Sequence, residues 1–241
     1  MPVDFGKLAI AIVTWNRPKG LLHTLERWTR TLPTYREGFI IANHPDDTFV
    51  VPARFRVVRT GRPPEHAGNL TQSWNLAMLW AFRDPGVEWL LCSQDDVDIY
   101  DGWVDAIRDN PERDLYVALA GDQTFLFNRR IFREIGWFDE RYVTIGYQEW
   151  DWQARACRTI PHDRLSIEDA HGWSLNAFGL SRYWQRPPHL PENGYKDEQH
   201  IGRNYSWMME KWGVSLNAVL PDRVPEPRYG EIEWYPWHRR D

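Results

Sequence analysis

The sequence predicts an α/β protein whose mostly parallel central sheet is flanked by helices. Short, nearly apolar runs alternate with longer runs in which apolar residues recur at helical spacing. The apolar runs stop at polar residues, as is typical of buried parallel strands that end at the mouth of a sheet. The chain has 241 residues, enough for one domain with a substantial core, and no change of composition divides it.

The first half of the chain alternates most clearly between strand and helix. Residues 7–14 are almost entirely apolar and end in a turn at 15–18, after which Leu21, Leu25 and Trp28 follow at helical spacing. Further elements are predicted as strands at 38–42, 55–59 and 89–92 and as a helix at 70–83. This alternation favours a parallel sheet with both faces covered.

The second half is predicted to extend the sheet and to end in irregular segments. Helices are expected at 102–108, 129–135, 147–158 and 205–212, with a strand at 115–120 and an antiparallel strand at 123–127. Residues 186–203 are rich in Pro, Gly, Asn, His and charge and predict a long mobile loop. We expect a single domain over 1–215 and an extended tail over 216–241, wrapped on the body or on the partner chain of a homodimer.

Composition excludes several classes of function. The net charge of −5 argues against a nucleic-acid partner bound through a basic surface. No apolar stretch reaches the roughly 18 residues of a membrane span, and the N-terminus lacks the basic start of a signal peptide, so we expect no integral membrane segment and a cytoplasmic location. Cys92 and Cys157 suit reduced core thiols better than a disulfide or a zinc site.

Tryptophan is unusually frequent, at 15 residues. Its large apolar ring fills cores and also stacks on sugars. For any single Trp, packing is the favoured interpretation, and only the total hints at a carbohydrate ligand.

Three carboxylates, Asp95, Asp96 and Asp98, follow the apolar run at 89–92. Like charges this close repel, so the cluster requires either solvation in a turn or neutralisation by a divalent cation. Ligands in open α/β sheets collect beyond the carboxyl ends of strands. A divalent cation is therefore the working hypothesis.

Five motifs in order resemble those of GT-A fold glycosyltransferases, in particular family-2-like inverting enzymes. The resemblance covers roughly residues 7–212 and rests on segments 11–18, 68–77, 94–97, 136–142 with 146–151, and 211–213. It implies the Rossmann-like GT-A fold with an antiparallel extension on the acceptor side. It also implies a nucleotide-sugar donor, UDP-, GDP- or dTDP-linked, and Mn²⁺ or Mg²⁺.

The resemblance places the metal-binding Asp-x-Asp motif on Gln94, Asp95 and Asp96. Asp96 is then the metal ligand, and Asp95 faces the ribose or a metal-bound water, while Gln94 replaces the first acid of the family. A second register, 96–98, also begins with Asp96; we favour the first, in which Asp98 is a turn residue. His171 falls where relatives have a histidine that completes the metal shell.

The same resemblance implies the remaining site residues. Glu149, at the start of a helix, corresponds to the carboxylate that takes the proton of the acceptor hydroxyl. Asp151 is expected to support the helix N-terminus or a neighbouring cation. The residues expected to contact the nucleotide sugar are Thr14, Trp15, Asn16, Asn43, Asn75, Gln94 and Asp95.

The leading hypothesis is a metal-dependent inverting glycosyltransferase that moves a hexose-type sugar to a hydroxyl of a glycan acceptor, as in polysaccharide biosynthesis. A non-catalytic carbohydrate-binding protein on the same scaffold is the alternative from another class. A nucleotidyltransferase ranks lower because the turn at 14–18 lacks the glycines of a phosphate-binding loop.

Overall fold

The first strand of the sheet in chain order is β1 (Leu8–Thr14), all seven residues of which are buried. The computed structural model describes residues 2–44, 49–60, 69–118, 124–143, 146–168, 173–185 and 198–228. Strands β2 (Glu37–Ala42) and β4 (Trp89–Gln94) pair with β1 in parallel on either side, and β3 (Phe55–Arg59) pairs in parallel with β2. These four strands present their carboxyl ends at one edge.

The other half of the sheet contains antiparallel pairs. β7 (Thr124–Asn128) runs antiparallel to β4 and to β6 (Leu115–Ala118). β8 (Leu165–Glu168) is parallel to β6, and β9 (Ser174–Leu175) is antiparallel to β8. Over the described ranges the strand order is β3-β2-β1-β4-β7-β6-β8-β9. The predicted α/β sheet with an antiparallel extension is confirmed.

Helices cover both faces because β1 sends alternate side chains to each. Ala9, Ala11 and Val13 join the core beneath α2 (Leu70–Phe82), together with α5 (Gln148–Thr159). The intervening Leu8, Ile10 and Ile12 join the core beneath α1 (Pro18–Thr31) and α3 (Trp103–Arg108). This alternation is the period of a strand buried on both sides.

Most predicted helices begin and end within about three residues of their predicted limits. The exception is α6 (Glu198–Trp212), which begins seven residues before the predicted helix at 205–212. The expected loop over 186–203 is therefore wrong from residue 198 onward, and residues 186–197 lie outside the described ranges. The short helix α4 (Arg129–Ile135) matches its prediction and ends at Gly136, which has a φ of 75°.

A two-stranded sheet that the sequence analysis did not anticipate follows the acidic turn. β5 (Asp98–Ile99) pairs antiparallel with β10 (Trp184–Gln185). The rings of Trp28, Trp103 and Trp184 meet beneath it with centroids 5.4–5.9 Å apart. This aromatic cluster attaches the small sheet to α1 and α3.

The tryptophans serve mainly as packing residues. Among the described residues, the fully buried ones are Trp28, Trp74, Trp89, Trp103, Trp152, Trp184 and Trp212. Their burial weakens the compositional hint of a carbohydrate ligand. Cys92 and Cys157 are both buried and free, as predicted.

The chain beyond α6 packs against the domain as far as residue 228. Leu216 is fully buried, its carbonyl accepts from Trp173 Nε1 across 3.1 Å, and Val224 is 8% exposed. The part of the tail prediction over 229–241 lies outside the described ranges. None of the described helices has the length and apolar character needed to cross a membrane.

Candidate active site

Two adjacent buried carboxylates, Asp95 and Asp96, occupy the turn that follows β4, and each residue is 2% exposed. The Thr14 hydroxyl donates to Asp95 Oδ2 across 2.7 Å, and the backbone N–H of Trp15 donates to the same carboxylate. Burial raises the pKa of Asp95 to about 7, with a further contribution from the neighbouring Asp96 charge, although the Thr14 bond opposes the shift. The turn therefore places two carboxyl groups side by side at the carboxyl edge of the sheet, and burial favours the neutral form of Asp95.

Arg17 places a positive charge beside this acid pair. Its Nη1 lies 3.6 Å from Asp95 Oδ1 and 3.4 Å from Asp96 Oδ2. Arg17 directly precedes α1, so the first turn of that helix faces the end of β4. One guanidinium faces two carboxylates, so the turn carries an excess of negative charge whenever both are ionised.

The acid pair has the chemistry of a partial site for a hard divalent cation. Carboxylate oxygens are preferred ligands of Mg²⁺ and Mn²⁺, and a cation would relieve the like-charge burial that raises the pKa of Asp95. Among the described residues, no three His, Cys, Asp or Glu side chains converge to hold a metal. The predicted third ligand, His171, lies outside the described ranges.

Asp98 lies apart from the acid pair. It belongs to β5 rather than to a turn, which corrects the expectation from the sequence, and it is 4% exposed. Its Oδ1 lies 3.0 Å from Arg27 Nε and 3.2 Å from His23 Nε2. Because Arg27 of α1 already pairs with it, Asp98 is a poor second acid for a metal motif at 96–98.

Helix α1 also fixes the shape of the acidic turn. The Thr24 hydroxyl donates to the Val97 carbonyl across 3.1 Å. A Cβ atom at Gly20 would lie 2.7 Å from the Asp95 carbonyl oxygen, so only glycine allows the helix to approach this closely. The helix therefore contacts the turn through its backbone as well as through Arg17.

The predicted nucleotide residues Thr14 and Asn43 lie side by side at the ends of β1 and β2. The Asn43 N–H donates to the Thr14 carbonyl across 3.0 Å, and Asn43 Oδ1 lies 3.0 Å from Ser73 Oγ in α2. Asn43 is 3% exposed, so its amide belongs to a buried polar group at the strand ends. The edge formed by β1 and β2 is thus continuous with the acid pair.

The turn after β1 brings further polar and aromatic groups to the same edge. Asn16 has a φ of 50°, a left-handed conformation that Asn tolerates better than most residues. The ring of Trp15 lies 5.8 Å from that of His44. Gln94, the last residue of β4, is half-buried and pairs in register with Val13 of β1.

Glu149 lies in the first turn of α5 and is 4% exposed. Its Oε1 accepts hydrogen bonds from Trp74 Nε1 across 3.1 Å and from Gln148 Nε2 across 3.0 Å. Tyr147, which precedes the helix, has a φ of 68°, an uncommon conformation for a non-glycine residue. The carboxylate is therefore held by two N–H donors at a strained helix start.

Asn75 is engaged by the protein itself. Its Nδ2 donates to Glu140 Oε1 across 2.7 Å and to the Phe138 carbonyl across 3.0 Å, while its Oδ1 accepts from the Phe138 N–H across 2.8 Å. The observed role of Asn75 is to fix the segment before α5. A contact between Asn75 and the nucleotide sugar stays a prediction.

Helix α2 joins the two carboxylate sites. Ser73 meets Asn43 at the end of β2, and the next residue, Trp74, donates to Glu149. Thr14 then connects Asn43 with Asp95 through the bonds described above. The structure thus links Glu149 to the acid pair through contacts at one edge of the sheet.

Trp74 and the ion-pairing role of Arg17 were not anticipated from the sequence. Membership of the turn at 15–18 is the only sequence feature that indicates the position of Arg17. No local pattern indicates that Trp74 would reach Glu149, 75 positions away.

No protein-family model and no curated protein matches the sequence. The structure, in contrast, is similar to several solved structures. The mannosyltransferase PcManGT from Pyrobaculum calidifontis, in complex with GDP-Man and Mn²⁺, superposes with a TM-score of 0.52 at 11% identity. The match covers 84% of this chain and 64% of that one, so this chain spans less than two thirds of the mannosyltransferase.

The catalytic domain of Drosophila β1,4-galactosyltransferase 7 in complex with xylobiose gives a TM-score of 0.46 at 13% identity, with 91% of both chains covered. A mutant of that enzyme with manganese, UDP-Gal and xylobiose gives 0.48, with the same identity and coverage. Of these three structures, the mannosyltransferase has a TM-score above 0.5. That likeness confirms the predicted GT-A type of fold.

Proposed function

We propose that this protein is a metal-dependent inverting glycosyltransferase that moves a hexose-type sugar from a nucleotide-sugar donor to a hydroxyl of a glycan acceptor. The observation that carries the proposal is the connected pair of buried sites at one edge of a GT-A fold. Asp95 and Asp96 directly follow strand β4, and Glu149 lies in the first turn of α5. The mannosyltransferase with the same type of fold was solved with GDP-Man and Mn²⁺.

In this proposal Asp96 binds Mn²⁺ or Mg²⁺, with Asp95 beside it and His171 as a further ligand. When bound, the cation would offset the negative charge that develops on the diphosphate leaving group. Thr14 orients Asp95 through its 2.7 Å hydrogen bond, so the acid pair keeps a fixed position at the strand end. Trp15, Asn16, Asn43 and Gln94 line the adjoining edge for the nucleotide.

Glu149 is the proposed general base. The Trp74 and Gln148 donors fix the carboxylate through Oε1, and in this proposal the carboxylate takes the proton of the acceptor hydroxyl. Attack by that hydroxyl on the face opposite the leaving diphosphate would invert the anomeric centre. Because both donors are buried, the orientation of the carboxylate is set before the substrate arrives.

The first test is a thermal-shift screen of UDP-, GDP-, dTDP- and CDP-sugars with and without Mn²⁺, followed by a transfer assay with the stabilising donor. Ligand that binds only the folded state raises its stability. We expect stabilisation by one donor class that requires Mn²⁺. Binding of free sugars without nucleotide or metal would instead support the carbohydrate-binding alternative, and release of pyrophosphate from a nucleoside triphosphate would support a nucleotidyltransferase.

Substitution of the two central carboxylates provides the second test. Asp96→Asn should abolish Mn²⁺-dependent donor binding, whereas Glu149→Gln should retain donor binding and lose at least about 100-fold in kcat. Asp105→Asn is the matched control, because Asp105 is exposed on α3 and pairs only with Arg108 of its own helix among the described contacts. Full transfer by either site variant would contradict the assignment.

A further inference from the structure

Helix α6 carries a buried stripe that the proposed chemistry does not use. Asn204 and Met208 are fully buried, and Lys211 and Trp212 are 1% and 2% exposed. The spacing of four, three and one places them on one face of the helix. Lysine is almost never this buried unless it is paired, so Lys211 requires an explanation.

Lys211 connects two carboxylates from different parts of the chain. Its Nζ lies 2.6 Å from Asp151 Oδ1 and 2.8 Å from Asp139 Oδ2. Asp139 is also paired with Arg141, and Asp151 with Arg155. The ammonium therefore holds α5 to the segment after α4.

Asp151 is the centre of this cluster. Its Oδ1 also accepts from Trp212 Nε1 across 2.9 Å and from the Tyr142 hydroxyl across 3.3 Å. Asp151 is only two residues beyond Glu149 in the first turn of α5. Contacts that fix Asp151 therefore also fix the turn from which the Glu149 side chain projects.

Asn204 restrains the chain just before that turn. Its amide donates to the Val143 carbonyl across 2.7 Å and to the Gly146 carbonyl across 3.1 Å, and its Oδ1 accepts from the Val143 N–H across 3.0 Å. Gly146 precedes Tyr147, whose left-handed φ of 68° needs support from its surroundings. Helix α6 thus holds the start of α5 at two points.

We propose that Lys211 is a positioning residue for Glu149, acting through Asp151; this rests on the proposed function. A buried ion pair often contributes little net stability compared with apolar packing, but it imposes a strict geometry on its partners. Here the geometry is that of the helix turn bearing the general base. Trp74 holds the Glu149 carboxylate from α2, and Lys211 holds its helix turn from α6.

The test compares Lys211→Met and Lys211→Arg with wild type. In Lys211→Met, Asp139 and Asp151 keep Arg141 and Arg155 as partners, which favours folding. We expect kcat per folded enzyme to fall about 10- to 100-fold, with the donor Kd unchanged, because misplacement of about 1 Å is enough for such a loss. Lys211→Arg keeps the charge and should recover most of kcat.

Arg158→Met is the matched control. Arg158 is another cation of the same region, but it bonds to the Val224 carbonyl and to exposed Glu226, away from the first turn of α5. Its kcat should equal that of wild type. A purely structural role of Lys211 would lower the melting temperature of Lys211→Met and leave kcat per folded enzyme unchanged, and that result would overturn the proposal.

Amide hydrogen exchange separates this inference from the proposed function. In Lys211→Met, exchange over 147–151 should accelerate while exchange in β4 stays as in wild type. If the wild-type protein transfers no sugar, the proposed function fails, and exchange alone decides whether Lys211 fixes the turn. Unchanged exchange over 147–151 would overturn the coupling. If Lys211→Met does not fold, Trp212→Phe, which removes one donor to Asp151, is measured in the same way.

Discussion

At the scale of single residues, Asp95 and Asp96 share the guanidinium of Arg17 at 3.4–3.6 Å. A cation that binds the same carboxylates must compete with this fixed positive charge. Arg17 would thereby lower the affinity of the nucleotide-free protein for metal at this acid pair. A bound donor diphosphate would add negative charge, which would reduce the repulsion between the metal and Arg17 at the same two carboxylates.

Replacing Arg17 by Gln should therefore strengthen Mn²⁺ binding in the absence of nucleotide. We expect the Kd for Mn²⁺ to fall about tenfold, equivalent to about 1.4 kcal/mol, because the repulsion by the guanidinium is removed. Isothermal titration of the nucleotide-free protein measures this. Arg30→Gln, which alters an exposed pair with Asp101, is the control. Equal or weaker binding in Arg17→Gln would show that Arg17 does not compete with metal.

The sequence suggests the chemical groups of the candidate site but not their partners. Asp96 and Glu149 are predicted through the resemblance to GT-A motifs, and their roles stay predictions. The Trp74 bond to Glu149 and the Arg17 pairs depend on how distant elements pack, which local pattern does not encode. Asn75 is the opposite case. It was predicted to contact the nucleotide sugar, but its side chain forms hydrogen bonds with Phe138 and Glu140.

At the scale of elements, the strands and helices with sustained apolar periodicity were predictable. β5 and β10 were not, because two-residue strands have no period to detect and depend on pairing with each other. The start of α6 was missed because His200 and Gly202 were grouped with a loop composition. Gly202 lies on the exposed side of the helix, where glycine costs about 1 kcal/mol rather than ending it.

The contact between α1 and the acidic turn predicts a specific effect of Gly20→Ala. The added Cβ would meet the Asp95 carbonyl oxygen at 2.7 Å, so either the helix or the turn must move. We expect the free energy of unfolding to fall by about 1–3 kcal/mol and Mn²⁺ binding to weaken with it. Urea denaturation and metal titration measure the two effects.

Gly202→Ala is the matched control for Gly20→Ala. Its Cβ would meet no atom within 4 Å, and Gly202 lies inside α6. The better helix propensity of alanine should raise stability by up to about 1 kcal/mol and leave metal binding unchanged. A stable Gly20→Ala variant with normal Mn²⁺ binding would show that the close approach of α1 does not shape the site.

At the scale of the whole molecule, stability depends on the ion-pair cluster that joins α5, α6 and the segment after α4. Burial raises the pKa of Asp139, but the Arg141 hydrogen bond and the Lys211 ammonium outweigh it, and the net pKa is well below its ordinary value. The charged groups that face it are Arg141 and Lys211, with Asp151 on the other side of the ammonium. Protonation of Asp139 would therefore weaken the folded state.

This pKa direction predicts how the stability contributed by Asp139 varies with pH. Because the folded pKa is depressed, the contribution is fully present above the unfolded pKa of about 3.9 and is lost as pH falls through the folded pKa. Asp139→Asn should lower the free energy of unfolding by about 2–4 kcal/mol at pH 7. The difference from wild type should shrink steadily below about pH 4, as wild type loses the same charge.

Urea unfolding from pH 7 to pH 2.5 measures this difference in the free energy of unfolding. The control is Asp105→Asn, whose carboxylate is exposed and which should show almost no difference from wild type at any pH. A difference between Asp139→Asn and wild type that does not change with pH would mean that the contribution comes from hydrogen bonding and packing, not from the charge that Lys211 and Arg141 stabilise.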